Sequence, residues 1–314
     1  MLSLDKDSVA SLDQRYLEFT ARTSRVFETY PQLEPLRHFI FKELLVKGEK
    51  ARRADQVKHW LRPFVRRGRT EFLPEQTDVL IVLESQREVI ADALLPVHRE
   101  LSARGINVKV LSIGGSPELS CSPIPFRFRV HVAAPEWSRG AWQALCRSEA
   151  ELRDNSLMRS FNISAACVQG MLDECESVLA GLNPKAVLIA STQLPGGASM
   201  VTAAQARGIS TVLLQHGILQ VFYTPLTVDY MLTWGESSNE TLKRLRAPAD
   251  RFEALGSPRH DAMRSSKDGS AREVLLRKLG LPDRPTFVFF SNGNDLVRNG
   301  KAPLECARWL ERAS

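Results

Sequence analysis

The chain has little that would mark a secreted, membrane-spanning or metal-binding protein. Its 314 residues include five cysteines, Cys121, Cys146, Cys167, Cys175 and Cys306, an odd and scattered set with no CxxC pair. That argues against both a disulfide framework and a cysteine zinc site. No stretch approaches the roughly 18 uninterrupted apolar residues that a membrane-spanning helix needs. The N-terminus, MLSLDKDSVASLDQ, sets charges where a signal peptide carries its apolar core. A cytoplasmic protein is expected. GxGxxG, Walker, HExxH and GxSxG motifs are also missing, which removes the commonest dehydrogenase, kinase, zincin and esterase readings.

What remains is the composition of an ordinary globular protein, 43% hydrophobic and 25% charged. The net charge of +6 is unevenly spread. Between Lys42 and Arg69 stand ten Lys and Arg against Glu43, Glu49 and Asp55. That segment alone exceeds the total by one, so the rest of the chain is net negative by about one. A solvated helix face and linker is the plain reading. The alternative is contact with an anionic membrane surface, where each basic residue contributes ~1 kcal/mol. Nucleic acid is not expected, since only Trp60 and Phe64 interleave with the charge and no binding module accompanies it.

Residues 8–69 carry helical periodicity and no strand signal, interrupted by Pro31, Pro35 and Pro63. The texture then changes. TDVLIVLES (77–85), NVKVLSIGG (107–115), KAVLIAST (185–192), STVLLQHG (210–217) and VDYMLTWG (228–235) read as buried strands. FRFRVHV (126–132) alternates, as an edge strand does, and RFEALGSPRHD (251–261) adds a strand and turn. Helical patterns separate them: Val89 to Gly105, a polar stretch at 138–160, Ser164 to Leu182, Gly196 to Gly208, and a helix running to Leu245. Strands alternating with helices predict an α/β fold with a doubly wound parallel sheet, Rossmann-like, behind an N-terminal helical appendage. A charged helix, AREVLLRKLGL (271–281), leads to a fresh apolar run, TFVFFSNGND (286–295). One strand and one helix cannot bury their own apolar faces, so a second α/β domain is expected to begin there and to be cut short.

Ligands of open parallel sheets bind outside the carboxyl ends of the strands. Four clusters fall at such ends: Ser191-Thr192-Gln193, Gln215-His216-Gly217, Trp234-Gly235-Glu236, and Gly256-Ser257-Pro258-Arg259 with Asp261. His216 titrates near neutrality and precedes a glycine, so it is the candidate general base. A loop histidine held for structural reasons is the competing reading. Ser257 and Arg259 suit a phosphate or carboxylate, and Asp261 either orients Arg259 or caps a helix. Ser291, Asn292 and Gly293 follow a strand and offer backbone N–H groups to a phosphate.

The serial order LLQHG, YMLTWGE, FEALGSPRHD and RPTFVFFSNG resembles GT-B-type glycosyltransferases of bacterial surface polysaccharide assembly. It is similar as well to CDP-glycerol glycerophosphotransferases, with a His-Gly pair and a Gly-x-Pro-Arg-x-Asp turn in the same places. The resemblance spans residues 184–295. It implies a helical appendage at 1–75, a Rossmann-like acceptor-side domain at 76–265, a linker helix at 266–284, and the start of a truncated donor-binding domain at 285–314. It also implies transfer of a glycosyl or glycerophosphoryl group from a nucleotide-sugar or CDP-glycerol-like donor to a carbohydrate or lipid-linked acceptor. His216 would be the base, and Thr192, Gln215, Gly217, Trp234, Glu236, Ser257, Arg259, Asp261, Ser291, Asn292 and Gly293 the binding residues. No cofactor or metal is implied, the nucleotide-activated donor being substrate. The alternatives are a non-hydrolysing nucleotide-sugar epimerase, for which Glu84 and Glu236 are the only strand-end carboxylates, and an inactive half-domain that binds a partner.

Overall fold

The computed structural model describes residues 6–46, 68–84, 88–113, 121–261 and 270–280. The strands β1 (Val79–Leu83), β2 (Val108–Ser112), β3 (Ile124–Pro125), β4 (Ala186–Ile189), β5 (Ser210–Leu214), β6 (Tyr230–Thr233) and β7 (Phe252–Ala254) form one sheet. Its order is β3-β2-β1-β4-β5-β6-β7, with every pairing parallel. The strand order therefore reverses between β1 and β4, which makes that crevice the switch point. The expected doubly wound, Rossmann-like sheet is what forms.

The helices are α1 (Lys6–Thr29), α2 (Glu88–Ala103), α3 (Glu136–Ser148), α4 (Asn155–Leu182), α5 (Pro195–Ala206), α6 (Glu236–Arg244) and α7 (Ser270–Leu279). Contacts divide the chain into two units, and Leu12–Ala262 carries the whole sheet, while α7 belongs to the other. Among the described residues no helix is long and apolar enough to cross a membrane.

The unbroken apolar run of β1 follows from burial on both faces. Leu80 and Val82 join Cys175, Val178 and Leu179 of α4 with Met200 and Ala203 of α5. Ile81 and Leu83 pack on the other face with Ile90, Ala93 and Leu94 of α2. Each such side chain, fully buried, contributes about 1.5–3 kcal/mol. The N-terminal helices do not stand alone. Tyr16, Phe19, Phe27 and Phe41 share one cluster with Trp142 of α3 and with Leu157, Phe161 and Val168 of α4. The 28-residue α4 thus joins that cluster through its first half and the sheet through its second.

The third strand differs from expectation. Alternation in FRFRVHV predicts a strand at 126–132, but β3 is Ile124–Pro125. Phe126 and Phe128 do alternate into the core. Phe126 N still donates to Ser112 O of β2 at 2.9 Å, but the backbone then bonds elsewhere: Phe128 O accepts from Gly68 N at 3.1 Å, and Arg127 N donates to Thr70 Oγ1 at 3.1 Å. Past Phe126, period-two burial continues without a ladder to β2. The expected polar helix at 138–160 is likewise α3, a 3-10 turn at Ala150–Arg153, and the start of α4.

Candidate functional site

The carboxyl edge gathers Glu84 after β1, Ser191 after β4, His216 after β5, Trp234 after β6 and Ser257 after β7. Glu84 is the residue whose state the sequence could not show. It is only 5% exposed, and neither carboxylate oxygen has a hydrogen-bond partner among the described residues. Burial pushes its carboxyl up to about 8, opposed only by its own backbone amide. The even-numbered side chains of β1 face α4 and α5, so Glu84 continues the face of Leu80 and Val82. Tyr223, in the turn Val221–Tyr223, lies within electrostatic reach of Glu84, and burial pushes its phenol up to about 12.

The first turn of α5 packs against the ends of β2 and β4. A Cβ on Gly196 would stand 2.8 Å from Ile113 Cγ2, at the end of β2. A Cβ on Gly197 would stand 2.3 Å from the Ser191 carbonyl oxygen and 2.8 Å from Ile189 Cδ1, at the end of β4. Because β1 runs between β2 and β4, the two glycines bridge its carboxyl end. Pro195 opens the helix, and its N-cap, Leu194, makes no side-chain capping bond.

His216 is anchored rather than loose. Its Nδ1 lies 2.5 Å from the Ala190 carbonyl oxygen. A carbonyl only accepts, so the ring proton sits on Nδ1 and Nε2 is the basic nitrogen.

The other expected site residues divide into two groups. Gln215, buried, ties the strand ends together: its Oε1 accepts from Trp234 N at 2.8 Å, its backbone carbonyl from Trp234 Nε1 at 2.7 Å, and its Nε2 donates to Gly217 O at 2.9 Å. Gln215, Gly217 and Trp234 thus form one closed network. Thr192 lies in the β4–α5 turn, where Gln193 N donates to Ser191 Oγ at 3.1 Å. Glu236 opens α6 with its side chain 69% exposed, accepting from Asn239 Nδ2 at 3.2 Å and pairing with Lys243. It faces solvent at its own helix end, unlike Glu84.

After β7, Gly256 takes φ +92, a left-handed conformation that glycine adopts without strain, and turns the chain into Pro258–His260. This turn packs against α2. His260 lies against Trp234, ring centroids 5.9 Å apart. Arg259 and Asp261 are exposed, and no ion pair joins them. Ser257 Oγ is buried without a partner among the described residues. Ser291, Asn292 and Gly293, and the expected donor-binding start at 285–314, lie outside the described residues, as does the basic segment between Val46 and Gly68. Among the described residues, no group of three or more His, Cys, Asp and Glu is placed to hold a metal.

No family model and no curated protein matches the chain. Among solved structures, it is similar in fold to UDP-GlcNAc 2-epimerase from Neisseria meningitidis bound to UDP-GlcNAc, at 15% identity and a TM-score of 0.36, over 65% of this chain and 54% of that one. The UDP-GlcNAc 2-epimerase from Methanocaldococcus jannaschii matches at 12% identity and a TM-score of 0.40, over 76% and 62%. That from Rickettsia bellii matches at 16% and 0.40, over 66% and 52%. The chain therefore spans little more than half the length of these structures. These structures are named as epimerases, against the first expectation of glycosyl or glycerophosphoryl transfer.

Proposed function

We propose that this chain carries the acid–base part of a nucleotide-sugar epimerase, an enzyme that removes a carbon-bound proton and returns it on the other face. The observation that carries the reading is Glu84: a buried carboxyl at the switch point with no hydrogen-bond partner among the described residues. An unsatisfied buried carboxylate costs several kcal/mol if it does nothing. Held near 8, Glu84 exchanges its proton in the neutral range, which suits a general base working at physiological pH. His216, fixed through Nδ1 to Ala190 O, presents a second proton-transfer group two strands away. The nucleotide is the recognition handle on the sugar, and the residues that hold it are part of the same proposal.

The test is exchange in heavy water. The protein, incubated with nucleotide-linked sugars in D2O, should wash deuterium into one carbon-bound position, read by proton NMR. The rate should rise with pH and level off above about 8, as Glu84 ionises. Glu84→Gln should slow it by about 10²–10⁴. A folded Glu84→Gln protein that exchanges at the wild-type rate would remove Glu84 from the mechanism.

A further inference from the structure

A carboxyl at the end of a strand ordinarily meets water, and Glu84 is shielded from it. The turn Val221–Tyr223 faces both the N-terminal helices and the sheet. Val221 is buried in the cluster of Tyr16, Phe41 and Trp142, and Phe222 packs against the same cluster. Tyr223, the next residue, is buried in another cluster, with Ile189 of β4, Val201 of α5 and Leu213 of β5. Ile189 stands beside Val82 in the sheet register, so Tyr223 lies on the face that Glu84 continues. It is also within electrostatic reach of Glu84.

Phe222 sits in a socket of three rings. Tyr16 meets it edge-on with centroids 4.8 Å apart, His38 lies at 5.7 Å and Phe41 at 6.4 Å. Lys42 Nζ stands 3.8 Å from the Phe222 ring centroid, a cation–π contact. Tyr16 and Phe41 belong to the buried core, so the socket is built in. The bonds within the turn are local: Tyr223 N donates to Gln220 O at 3.0 Å and Thr224 N to Val221 O at 2.9 Å. Such bonds fix the shape of a turn and leave its place over the sheet to side-chain packing.

We infer that Phe222 is a positioning residue for Glu84: plugged into the N-terminal helices, it holds Tyr223 against the sheet face and keeps water from the carboxyl. The inference rests on the acid–base reading of Glu84 above. It makes the N-terminal helices part of the site through one aromatic plug. Burial favours the neutral carboxyl, so a displaced turn lets water solvate the carboxylate, and the proton leaves at lower pH. Few ionisable groups bear on Glu84. They are Tyr223 in the turn, Cys175 of α4 and His216 after β5, while α5 carries none and α2 packs on the opposite face of β1. Lys42 and His38 stand against Phe222, and burial holds His38 down to about 3, leaving it uncharged at neutral pH.

Carboxyl carbon-13 NMR on glutamate-labelled protein, with Glu84 assigned from the Glu84→Gln spectrum, follows its ionisation without any substrate. The wild type should titrate near 8. Phe222→Ala should bring the midpoint down by about one to two pH units as water enters. Tyr16→Leu opens the socket from the other side and should shift the midpoint the same way. It carries the test if Phe222→Ala does not fold. Two controls separate position from stability and from charge. Phe27→Ala removes a buried ring of the same cluster, one that meets Phe19 and Arg37, and should melt below the wild type yet titrate near 8. Lys42→Met should also titrate near 8. An unmoved midpoint in the folded Phe222→Ala or Tyr16→Leu protein would overturn the inference, as would an equal downward shift in either control. If the midpoints move as expected but the wild type washes no deuterium into nucleotide-linked sugars, the acid–base reading falls and the positioning of the carboxyl stands. A wild-type midpoint near the ordinary 4.5 would remove both.

Discussion

The two edges of the sheet treat their carboxylates in opposite ways. At the amino edge Asp78 accepts from Lys185 Nζ at 2.7 Å and from Asn107 N at 3.0 Å, and Glu75 pairs with Lys109 at 2.8 Å. These bonds hold the carboxyls of Asp78 and Glu75 below their usual range, chiefly through Lys185 and Lys109 respectively. At the carboxyl edge Glu84 is buried with no hydrogen-bond partner for either side-chain oxygen among the described residues, and its pKa moves the other way. The fold can satisfy a buried acid when it needs one. Glu174, 1% exposed on α4, accepts from Arg129 Nε at 2.7 Å and from Thr70 N at 2.5 Å, binding the 68–70 segment to the helix. An unsatisfied acid at the switch point is therefore a feature of the site and not a general habit of the protein.

The contrast predicts opposite responses to pH and substitution. Glu84 has a folded pKa of about 8 against 4.5 for an unperturbed glutamate. Between those values the unfolded chain releases the proton and the folded one keeps it, so stability falls as pH rises from 4.5 to 8 and is flat above. The integrated loss is about 3–5 kcal/mol. Glu84→Gln should abolish that decline, and urea melts across this range should show the variant gaining on the wild type. His38 provides an internal reference with the reverse sign. Burial holds it down to about 3, so its contribution is lost as pH falls below 6.5, equally in both proteins. Parallel wild-type and Glu84→Gln curves would mean that Glu84 is ionised and paired in solution.

Glu174 should respond in the other direction. Glu174→Ala leaves Arg129 and Thr70 N without their shared acceptor, and breaking a buried ion pair costs about 3–5 kcal/mol. It should melt well below the wild type at neutral pH, where Glu84→Gln melts above it. A smaller effect is expected from Gly197→Ala. A helix interior gains up to ~1 kcal/mol from this exchange, but the new Cβ meets the Ser191 carbonyl oxygen, and forced overpacking costs about 1–3 kcal/mol. A net loss in melting temperature is expected. A gain would show that α5 can lift away from the β4 end.

The sheet was legible because its strands are apolar on both faces, a pattern that few other elements share; β1, β4 and β5 fall within the runs that predicted them. The strand expected at 126–132 was misplaced because Phe126 and Phe128 alternate in burial while the backbone of Arg127 and Phe128 bonds to residues 70 and 68, a partnership about sixty residues away that periodicity cannot register. The site was legible only as a row of strand ends. Sequence drew attention to His216 and gave Glu84 and Glu236 equal standing as carboxylates. Their difference is whether a partner stands nearby: Lys243 and Asn239 for Glu236, none among the described residues for Glu84. That depends on packing across the β2, β1 and β4 ends, and no local pattern encodes it. The Gly196-Gly197 pair in PGG is a readable signal of close packing against the strand ends.

The smallest effect should come from the amino edge, and its smallness is the sharpest check on the comparison. Asp78 is partnered as completely as Glu174, so a simple count of bonds would rank the two equally. Solvent separates them. Lys185 is 70% exposed and Asp78 about one-third exposed, so water and salt replace most of what the ion pair supplies. Asp78→Asn removes the charge but keeps an oxygen that can accept from Asn107 N, the bond that links the β1 and β2 entries. The variant should therefore unfold close to the wild type, and the gap should shrink further in high salt. If Asp78→Asn instead loses as much stability as Glu174→Ala, bonding at the amino edge holds the sheet together. Satisfaction, and not burial, would then rank the carboxylates of this fold, and the contrast drawn with Glu84 would have to rest on its missing partners alone.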